Sequence, residues 1–501
     1  MANKKSKTMT AVQNFYAHQS IFITGGTGFF GTILIEKLLR CCSELSAIYM
    51  IIRPKRGQDI QSRLETIFSE PIFDRLRIEF PNFRKKIIAM QGDCTLPGLG
   101  ISTTDKEIIV KNVSIVFHVA AKVKMIEKLK TAVANNVYGT KEMIDICKCI
   151  HNLKAFISVS TLYSNCARKE IDEIFYEPII TGANILKLAE TLDEKSFNDM
   201  DIVSKSKSPN TYVFTKAIAE QLLQEYAKDL PLGLFRPAIV MSTYHEPIPG
   251  WIPNSQGASQ TLVDMSSGLL KTMHTDGSLV AELVPADLTI NAIIVSAWDV
   301  ALNNDTKNEP FIYNYCSTWN TSITWQKWLD MGLKYEIPTV KCIWSSSLIF
   351  IKNYYLYYIA SMLLQALPAI LIDGALLLLR KKTWAIKTCK EFDKYARAVC
   401  YFSLNEWKIK NNRTKALWQK TSLDDQKLFP FSMDNFDWDD FMKNCMMGIR
   451  IHIFKDPLDT IPAARKRRMR FLVYHNILKY TIIFFGLWTV CTITKILLRF
   501  T

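Results

Sequence analysis

The 501-residue sequence lacks the residue clusters that hold structural metal ions or disulfide frameworks. Its twelve cysteines are scattered, and only Cys41-Cys42 and Cys147-x-Cys149 lie close together. The seven histidines form no H-x-x-x-H pair, and the sequence contains no C-x-x-C pair. We therefore expect no zinc or other metal site. We also expect reduced thiols and an enzymatic part that faces the cytosol.

The sequence also lacks a secretory leader pattern and any recognisable nucleic-acid module. Its first residues carry lysines without an apolar stretch, so we expect no signal peptide. No helix-turn-helix or zinc-finger pattern accompanies the 62 Lys and Arg against 47 Asp and Glu, an excess of 15. We assign this excess to a phosphorylated ligand or an anionic membrane surface, and expect no nucleic-acid partner.

The most informative stretch is a glycine turn between a short apolar strand and an amphipathic helix. Gly25, Gly28 and Gly31 are three residues apart, between the run 21–23 and the pattern 32–40. Such a turn lets the backbone close on a pyrophosphate and directs helix N–H groups towards it. The spacing resembles that of extended short-chain dehydrogenases/reductases. The candidate cofactor-binding residues of the turn are Thr24, Gly25, Thr27, Gly28, Phe29, Phe30 and Gly31.

Further buried-strand patterns follow, separated by helical patterns. They cover residues 47–52, 86–90, 114–121 and 155–160. Strands and helices that alternate at this spacing predict a parallel, doubly wound sheet. Asp93 after the third strand and Ala120 at the end of the fourth are further candidate cofactor-binding residues, because nucleotides cross the carboxyl ends of such strands.

The second strand ends without the acidic residue that an NAD site uses to bind the ribose hydroxyls. In its place the sequence reads Arg53-Pro54-Lys55-Arg56. Cations attract a 2′-phosphate, so Arg53 is a candidate cofactor residue and NADPH the expected cofactor. The alternative interpretation is a solvated basic loop.

The candidate catalytic residues are Tyr212, Lys216, Thr161 and Ser160. Tyr212 and Lys216 are four apart in a helical pattern and share one face, and Ser160 and Thr161 end the fifth strand. The Lys216 ammonium is expected to lower the pKa of the Tyr212 phenol, which then donates a proton to a carbonyl oxygen held by Thr161 or Ser160. Lys216 is also expected to hold the cofactor ribose. By itself, a Y-x-x-x-K pattern also fits a plain surface helix.

Together these motifs resemble the alcohol-forming fatty acyl-CoA reductases, over nearly the whole chain. The reductase part of the resemblance lies in residues 25–31, 53–55, 117–121, 159–161, 212–217, 236–240 and 246–251. Residues 285–287, 405–407, 437–438 and 448–450 resemble landmarks of the family's C-terminal domain, called the male-sterility domain, and of the junction that leads to it. Departures at Lys122, Met125-Ile126, Pro253 and Ser266-Ser267 leave the acyl chain length open.

The C-terminal half carries two long apolar segments. Residues 354–372 contain no charge, and the apolar run resumes at 375–379 after Asp373-Gly374. This segment fits a membrane span, a kinked hairpin that dips into the bilayer, a helix pair around an acyl chain, or ordinary core. Residues 471–500 follow the basic run at 465–470. This order predicts a transmembrane anchor with the bulk of the protein in the cytosol. The alternative is an amphipathic packing helix.

The predicted fold is α/β: a doubly wound parallel Rossmann sheet of the extended short-chain dehydrogenase/reductase type, a mainly helical C-terminal domain and a C-terminal transmembrane helix. The expected divisions are a lead-in at 1–19, an NADP-binding reductase domain at 20–300, a connecting and substrate region at 301–352, a male-sterility domain at 353–464 that includes 354–379, and the anchor at 471–500.

The resemblance implies reduction of long-chain fatty acyl-CoA to a primary alcohol through an aldehyde, with NADPH as cofactor and CoA released. The expected partners are acyl-CoA, membrane lipid and, as one option for assembly, a second copy in a homodimer. The expected location is the membrane of the endoplasmic reticulum or the peroxisome, with the reductase part in the cytosol. Two alternatives stay open: an extended reductase that acts on a sterol or a nucleotide sugar, and a non-catalytic NADP-binding scaffold.

Overall fold

The computed structural model describes residues 9–54, 57–303, 311–319 and 321–500; side chains are described there except at 482–483, 490–491, 493 and 496–500. Lys55 and Arg56, which the sequence places in the basic loop, lie outside these ranges. The chain divides into two compact units, each built from three segments. Unit 1 comprises Met1–Trp251, Val280–Ile323 and Asn405–Asp437, and unit 2 comprises Ile252–Leu279, Thr324–Leu404 and Trp438–Thr501.

The strands of the described residues are short, and most of the longer ones belong to one sheet. In chain order they are β1 (Ser20–Thr24), β2 (Ala47–Ile52), β3 (Ile87–Gln91), β4 (Ile115–His118), β5 (Ala155–Val159), β6 (Glu170–Ile171), β7 (Leu232–Pro237), β8 (Ile239–Val240), β9 (Thr272–His274), β10 (Val280–Ala281), β11 (Leu283–Val284), β12 (Phe311–Tyr315), β13 (Ile323–Thr324), β14 (Ile349–Ile351) and β15 (Lys408–Ile409).

Helices connect these strands and make up most of unit 2. In chain order they are α1 (Ala11–Tyr16), α2 (Phe29–Cys41), α3 (Ile60–Phe68), α4 (Asp74–Glu79), α5 (Thr103–Asn112), α6 (Leu129–Val133), α7 (Gly139–Cys149), α8 (Gly182–Thr191), α9 (Glu194–Asn198), α10 (Ile202–Lys205), α11 (Thr211–Tyr226), α12 (Gly257–Ser267), α13 (Ala286–Leu302), α14 (Trp325–Lys334), α15 (Tyr354–Ser361), α16 (Leu367–Leu378), α17 (Ala385–Ser403), α18 (Asn412–Lys420), α19 (Leu423–Leu428), α20 (Trp438–Gly448) and α21 (Ile461–Phe500).

Unit 1 is built around a seven-stranded sheet in the order β12-β7-β5-β4-β1-β2-β3, in which every pair of neighbours is parallel. The strand order reverses at β1, because the chain passes from β3 at one edge back to β4 on the other side of β1. The carboxyl ends of β1 and β4 therefore flank the crevice in which open α/β sheets bind their ligands. Thr24 and His118 are register partners at that point.

The sheet is buried on both faces, as its nearly continuous apolar strands require. One face packs against α7 and α11 in a cluster of buried residues that includes Phe22, Val116, Phe156, Phe214 and Ile218. These observations confirm the predicted doubly wound fold.

The observed boundaries follow the sequence patterns closely, with one clear correction. β2 matches the predicted run 47–52, whereas β4 ends at His118, three residues before the predicted run 114–121 ends. The sequence predicts that residues 136–140 open a helix. They lie instead inside a longer helical stretch that begins with α6 and passes through a π-turn at Ala134–Tyr138 into α7.

Unit 2 contains two helical stretches that are long and apolar enough to cross a membrane, by length and composition. The first is continuous over Tyr354–Leu378, joining α15 to α16 through a π-turn at Met362–Ala366. It passes through Asp373-Gly374, where the sequence pattern suggested a break. The second stretch covers Leu458–Thr489 and contains the first three-quarters of α21, which begins ten residues before the predicted anchor.

Candidate active site

The glycine turn has the geometry of a phosphate cradle. Gly25 has φ of +75°, and a Cβ atom at this position would lie 2.7 Å from the backbone nitrogen of Ala120. A Cβ atom at Gly31 would collide with the Gly25 carbonyl group. Both positions therefore require glycine, and the turn brings a bare backbone edge next to the end of β4. This is the fit that a dinucleotide pyrophosphate needs.

The helix α2 follows the turn directly, so its N-terminus lies at the phosphate cradle. Gly28 is the N-cap of α2, and its backbone N–H donates to the Gly25 carbonyl at 2.9 Å. Phe29 and Phe30 begin the helix, with their ring centroids 6.0 Å apart. Phe29 also packs on Trp251 at 5.8 Å. The N–H groups of a first helical turn have no partners within the helix and can bind an anion.

His118 is hydrogen-bonded on both sides at the point where β1 and β4 flank the crevice. Its Nδ1 lies 2.8 Å from Thr24 Oγ1, and its Nε2 lies 3.3 Å from Thr140 Oγ1. The Thr140 hydroxyl donates to the Asn136 carbonyl at 2.7 Å, so it accepts from His118. Burial, assisted by the Lys216 charge, lowers the pKa of His118 to about 3. The imidazole is therefore neutral at physiological pH and connects β1, β4 and the start of α7.

The structure brings the candidate cofactor residues Arg53 and Asp93 together at the carboxyl ends of β2 and β3. Arg53 Nη1 lies 3.8 Å from Asp93 Oδ2, and the Arg53 side chain is 60% exposed. Asp93 also accepts hydrogen bonds from the Thr95 backbone and hydroxyl, at 3.0 and 2.9 Å. Arg53 is thus held loosely and can turn to a ligand phosphate.

The structure also brings Tyr212, Lys216 and Thr161 together at the carboxyl end of β5. Asn210 caps α11 by accepting from the Val213 N–H at 2.9 Å, which places Tyr212 in the first turn and Lys216 one turn later. The Lys216 ammonium donates to the Val159 carbonyl at 2.7 Å. The Thr161 hydroxyl lies close enough to the Tyr212 phenol to favour its ionised form. The arrangement joins a phenol, a threonine hydroxyl and a cation beside the crevice.

The pKa values of Tyr212 and Lys216 are both shifted by burial. Burial raises the pKa of Tyr212 above its usual value, and the nearby Thr161 hydroxyl only partly opposes this effect. The net shift of the Tyr212 pKa is therefore upward, because burial dominates it. Burial also lowers the pKa of Lys216 to about 8, although the negative charge of Glu220 opposes the shift. The phenol is protonated at neutral pH.

Ser160 has a different environment from Thr161. Its hydroxyl donates to Glu220 Oε1 at 2.5 Å, so its hydrogen is already engaged. Glu220 also accepts from Arg236, with Nη2 at 2.6 Å and Nε at 3.1 Å, and from Asn165 Nδ2 at 3.2 Å. Glu220 and Arg236 are both completely or almost completely buried. Thr161 is consequently the better placed of the two hydroxyls to bind a substrate oxygen.

A second buried carboxylate organises the loop after β8. Asp287, at the start of α13, accepts hydrogen bonds from the backbone N–H groups of Tyr244, His245 and Glu246 at 2.7, 2.8 and 3.0 Å. The loop ends at Trp251, which contacts Phe29. Asp287 thereby fixes the loop that contacts Phe29, the first residue of α2.

The sequence interpretation missed Glu220, Arg236 and the roles of His118 and Asp287. A signal for Glu220 was present, because it follows Lys216 by four residues and so falls on the same helix face. Its partner Arg236 lies on β7, and no local pattern shows that these two side chains meet.

A parallel doubly wound sheet, a glycine turn closing against β4 and a Tyr-Lys pair beside a threonine at the end of β5 define a short-chain dehydrogenase/reductase of the extended type. Two models of the male sterility protein family match the chain, the NAD-binding model at residues 23–293 and the Sterile model at residues 364–456. The chain belongs to this family, whose curated relatives are fatty acyl-CoA reductases.

Similarity to those relatives extends along almost the full chain. Fatty acyl-CoA reductase wat of Drosophila melanogaster is 38% identical over 494 residues, which cover 98% of this chain and 95% of the relative. Fatty acyl-CoA reductase 1 of Rattus norvegicus is 34% identical, with coverage of 91% and 89%. The human fatty acyl-CoA reductase 1 is 32% identical with the same coverage. The family predicted from the sequence motifs is confirmed.

Solved structures show the same fold at low sequence identity. The terminal R domain of the myxalamid PKS-NRPS pathway matches with a TM-score of 0.58 at 17% identity, covering 88% of this chain and 93% of the domain. The reductase domain of a nonribosomal peptide synthetase from Mycobacterium tuberculosis matches with a TM-score of 0.57 at 17% identity, covering 86% and 92%.

Proposed function

We propose that this protein reduces long-chain fatty acyl-CoA to a primary alcohol through an aldehyde, with NADPH as cofactor and release of CoA. The observation that carries the proposal is the grouping of Tyr212, Thr161 and Lys216 at the carboxyl end of β5, in a chain that belongs to the fatty acyl-CoA reductase family. The full reaction consumes one acyl-CoA, two NADPH and two protons, and yields the alcohol, CoA and two NADP⁺.

The residues around the crevice fit a nicotinamide dinucleotide. The turn of Gly25, Gly28 and Gly31 with the start of α2 would hold its pyrophosphate, and Thr24, Thr27 and Ala120 line the same edge. Lys216 would hold the nicotinamide ribose. When bound, this cofactor supplies a hydride to each of the two carbonyl substrates in turn.

Tyr212 and Thr161 act on the substrate oxygen. Both hydroxyls can donate hydrogen bonds to a thioester or aldehyde carbonyl, and such bonds strengthen as negative charge develops on the oxygen. In the first reduction they stabilise the oxyanion until the thiolate of CoA leaves. In the second, Tyr212 gives its proton to the alkoxide. The raised pKa of Tyr212 suits this role because the phenol begins each cycle protonated.

Arg53 carries the preference for NADPH over NADH. Its guanidinium is exposed and sits at the carboxyl end of β2, where a 2′-phosphate on the adenosine ribose would lie. Asp93 would then orient Arg53 and contact the adenosine from the neighbouring strand end.

Replacing Arg53 should weaken this preference. In Arg53→Ala we expect the KM for NADPH to rise about tenfold, equivalent to about 1.4 kcal/mol, with little change in the KM for NADH. The matched control is Arg84→Ala, an exposed arginine that pairs with Glu65 away from the crevice. Equal KM values for NADPH in the Arg53→Ala variant and the parent would contradict the assignment.

The protein is proposed to act at a membrane, with α21 as its anchor and membrane lipid as a partner. Arg465, Lys466, Arg467, Arg468 and Arg470 precede the apolar part of this helix. Basic residues on this side of a span favour a cytosolic location for the rest of the chain. The endoplasmic reticulum and the peroxisome are the two compartments proposed.

The activity is tested with membranes that contain the expressed full chain. They receive NADPH and acyl-CoAs of graded chain length, and the extracted lipids are analysed for aldehyde and alcohol. We expect alcohol with about two NADPH oxidised per acyl-CoA, the ratio that two hydride transfers require. NADPH binding without oxidation by any acyl-CoA would overturn the proposal and favour a reductase for another substrate, such as a sterol, or a scaffold.

A further inference from the structure

The helical stretch Tyr354–Leu378 is here called the docking helix. Its large apolar side chains are exposed and two of its polar side chains are buried, the opposite of a helix in a soluble protein. Its outer side carries large exposed apolar side chains along its full length, including Leu356 at 60%, Leu363 at 57%, Leu371 at 64% and Leu378 at 88% exposure. Two of its polar side chains, Gln365 and Asp373, are buried at 9% and 4%. Helices in water turn their apolar side inwards. This helix is therefore built for an apolar surrounding.

The inner side of the docking helix is fastened to the body of unit 2 at its middle. Gln365 Oε1 accepts hydrogen bonds from the backbone N–H groups of Lys271 and Thr272, at 2.8 and 3.1 Å. These residues lead into β9, which pairs with β14 in a two-stranded sheet. The midpoint of the helix thus lies against a strand pair.

Contacts near both ends hold the same side. Near the N-terminal end, Tyr357 stacks on His274 with ring centroids 5.4 Å apart. Near the C-terminal end, the Asp373 carboxylate accepts from the backbone N–H groups of Trp384, Ala385 and Ile386, at 3.0, 2.9 and 2.9 Å, and so caps α17. The three attachment points, at 357, 365 and 373, span about 24 Å of the helix.

These attachments are incompatible with a helix that crosses the bilayer. If the docking helix crossed, Gln365 would carry the β9–β14 pair to the centre of the hydrocarbon. A two-stranded sheet has open edges with unpaired backbone groups, and such edges do not occur in contact with lipid. The helix must meet the membrane from one side.

Positive charge gathers where the docking helix ends. Between Asp373 and Glu391 the sequence has no acidic residue, and five exposed cations lie there; we call them the basic cluster: Arg380, Lys381, Lys382, Lys387 and Lys390. Clusters of this kind attract the anionic headgroups of a cytosolic leaflet. The charge therefore identifies a phospholipid surface as the occupant of the apolar side.

The docking helix and α21 are fastened to neighbouring residues of unit 2. Lys271 donates its backbone N–H to Gln365, while its ammonium donates to Ser347 Oγ at 3.1 Å. Trp344, three residues before Ser347, donates its indole N–H to His475 Nδ1 of α21 at 3.2 Å. Both apolar helices are thus held by one short region.

From this arrangement we propose that the docking helix lies in the plane of the membrane, with its apolar side in the outer hydrocarbon of one leaflet and the basic cluster among anionic headgroups. It does not cross the bilayer. The inference rests on the membrane location proposed above and adds a second, monotopic attachment beside α21. Amphipathic helices with cationic flanks bind membranes in this manner.

The test is a depth measurement on the full chain reconstituted in vesicles of phosphatidylcholine and phosphatidylserine. Single cysteines at Leu356, Leu363, Leu371 and Leu378 receive an environment-sensitive fluorophore, and lipids with nitroxides at shallow or deep positions quench it. The four sites lie on one side of the helix and span about 33 Å, close to the thickness of the bilayer core. The labelled parent chain supplies the background from native cysteines.

We expect all four sites to be quenched at one shallow depth, and more strongly with phosphatidylserine than with phosphatidylcholine alone. The matched control is Leu423→Cys, which replaces an exposed leucine of α19 and should escape quenching. A depth that is greatest at Leu363 and Leu371 and least at the two ends would show a crossing helix and overturn the proposal. Absence of quenching in vesicle-bound protein would show that this side does not enter the leaflet, and would also overturn the proposal.

Flotation of the same vesicles separates this inference from the proposed location. If the full chain floats with the vesicles but none of the four sites is quenched, α21 anchors the protein and the docking helix has no part in attachment. If the chain does not float, the membrane location itself is wrong. Replacing Lys381 and Lys382 with glutamine should reduce the difference in quenching between vesicles with and without phosphatidylserine.

Discussion

Tyr212→Phe is expected to lower kcat about 100- to 10,000-fold, the range that a positioned general acid contributes. Phenylalanine keeps the ring and removes only the hydroxyl that is proposed to donate the proton. The loss should appear with fatty aldehyde as well as with acyl-CoA, because Tyr212 donates the proton to the alkoxide in the second reduction. NADPH binding, followed by cofactor fluorescence, should change little.

The matched control for this variant is Tyr226→Phe. Tyr226 is the last residue of the same helix, α11, and lies near Lys148 rather than the crevice. It should keep parental activity. Near-parental turnover in Tyr212→Phe, with normal NADPH binding, would remove Tyr212 from the mechanism.

Glu220→Gln is expected to destabilise unit 1 by about 3–5 kcal/mol, because it leaves the buried Arg236 guanidinium without its counter-charge. The loss is measured as a fall in the thermal unfolding temperature of the solubilised full chain. Glu225→Gln makes the same change at an exposed position of α11 and should have almost no effect. Adding Arg236→Met to Glu220→Gln should recover part of the stability, since it removes the unpaired charge.

The pH dependence of kcat/KM tests whether Glu220 also acts on catalysis, by keeping Lys216 charged, in addition to its structural role. Lys216 has a pKa of about 8, and Glu220 is the charge that raises it against the effect of burial. The parental kcat/KM should fall as the pH rises through about 8, because Lys216 loses the proton that makes it a cation. In Glu220→Gln this fall should move to lower pH, and in Glu225→Gln it should not. An unchanged profile in Glu220→Gln would leave Glu220 a purely structural role.

The elements that the sequence predicted correctly depend on local rules. The strand at 47–52 is a continuous apolar run that only a sheet buried on both faces can accommodate. Gly25 and Gly31 are required because the backbone approaches itself and Ala120 too closely for any side chain. Tyr212 and Lys216 share a face because the helix repeats every 3.6 residues.

The features that the sequence did not predict depend on distant contacts. Ser160 and Thr161 are adjacent hydroxyl residues, and only the contact with Glu220 distinguishes them. The raised pKa of Tyr212 follows from burial by surrounding elements, which a spacing of four residues does not reveal. The expected domains were consecutive stretches, whereas each compact unit is assembled from three separate segments. Homodimer formation stays a prediction.

The apolar segment at 354–378 shows the same limit in another way. Its length and composition left open a membrane span, a kinked hairpin that dips into the bilayer, a helix pair around an acyl chain and ordinary core. These interpretations are distinguished by Gln365 and Asp373, whose partners are backbone groups of residues 271–272 and 384–386. Hydropathy counts these two polar residues as interruptions, whereas their contacts show which side of the helix faces the protein.

The loop that Asp287 holds has a consequence for exchanging parts between related reductases. Glu246 in this loop accepts from Lys37 at 2.5 Å and from Arg40 at 3.1 Å, and both cations are buried on α2. Although burial alone would raise the pKa of Glu246, these two cations hold it at about 2. A chimera that imports a foreign loop at 244–251 without a carboxylate at position 246 would leave the buried Lys37 ammonium without its counter-charge and Arg40 with Glu36 alone. In a chimera, the loop at 244–251 and α2 should therefore be exchanged together or both kept.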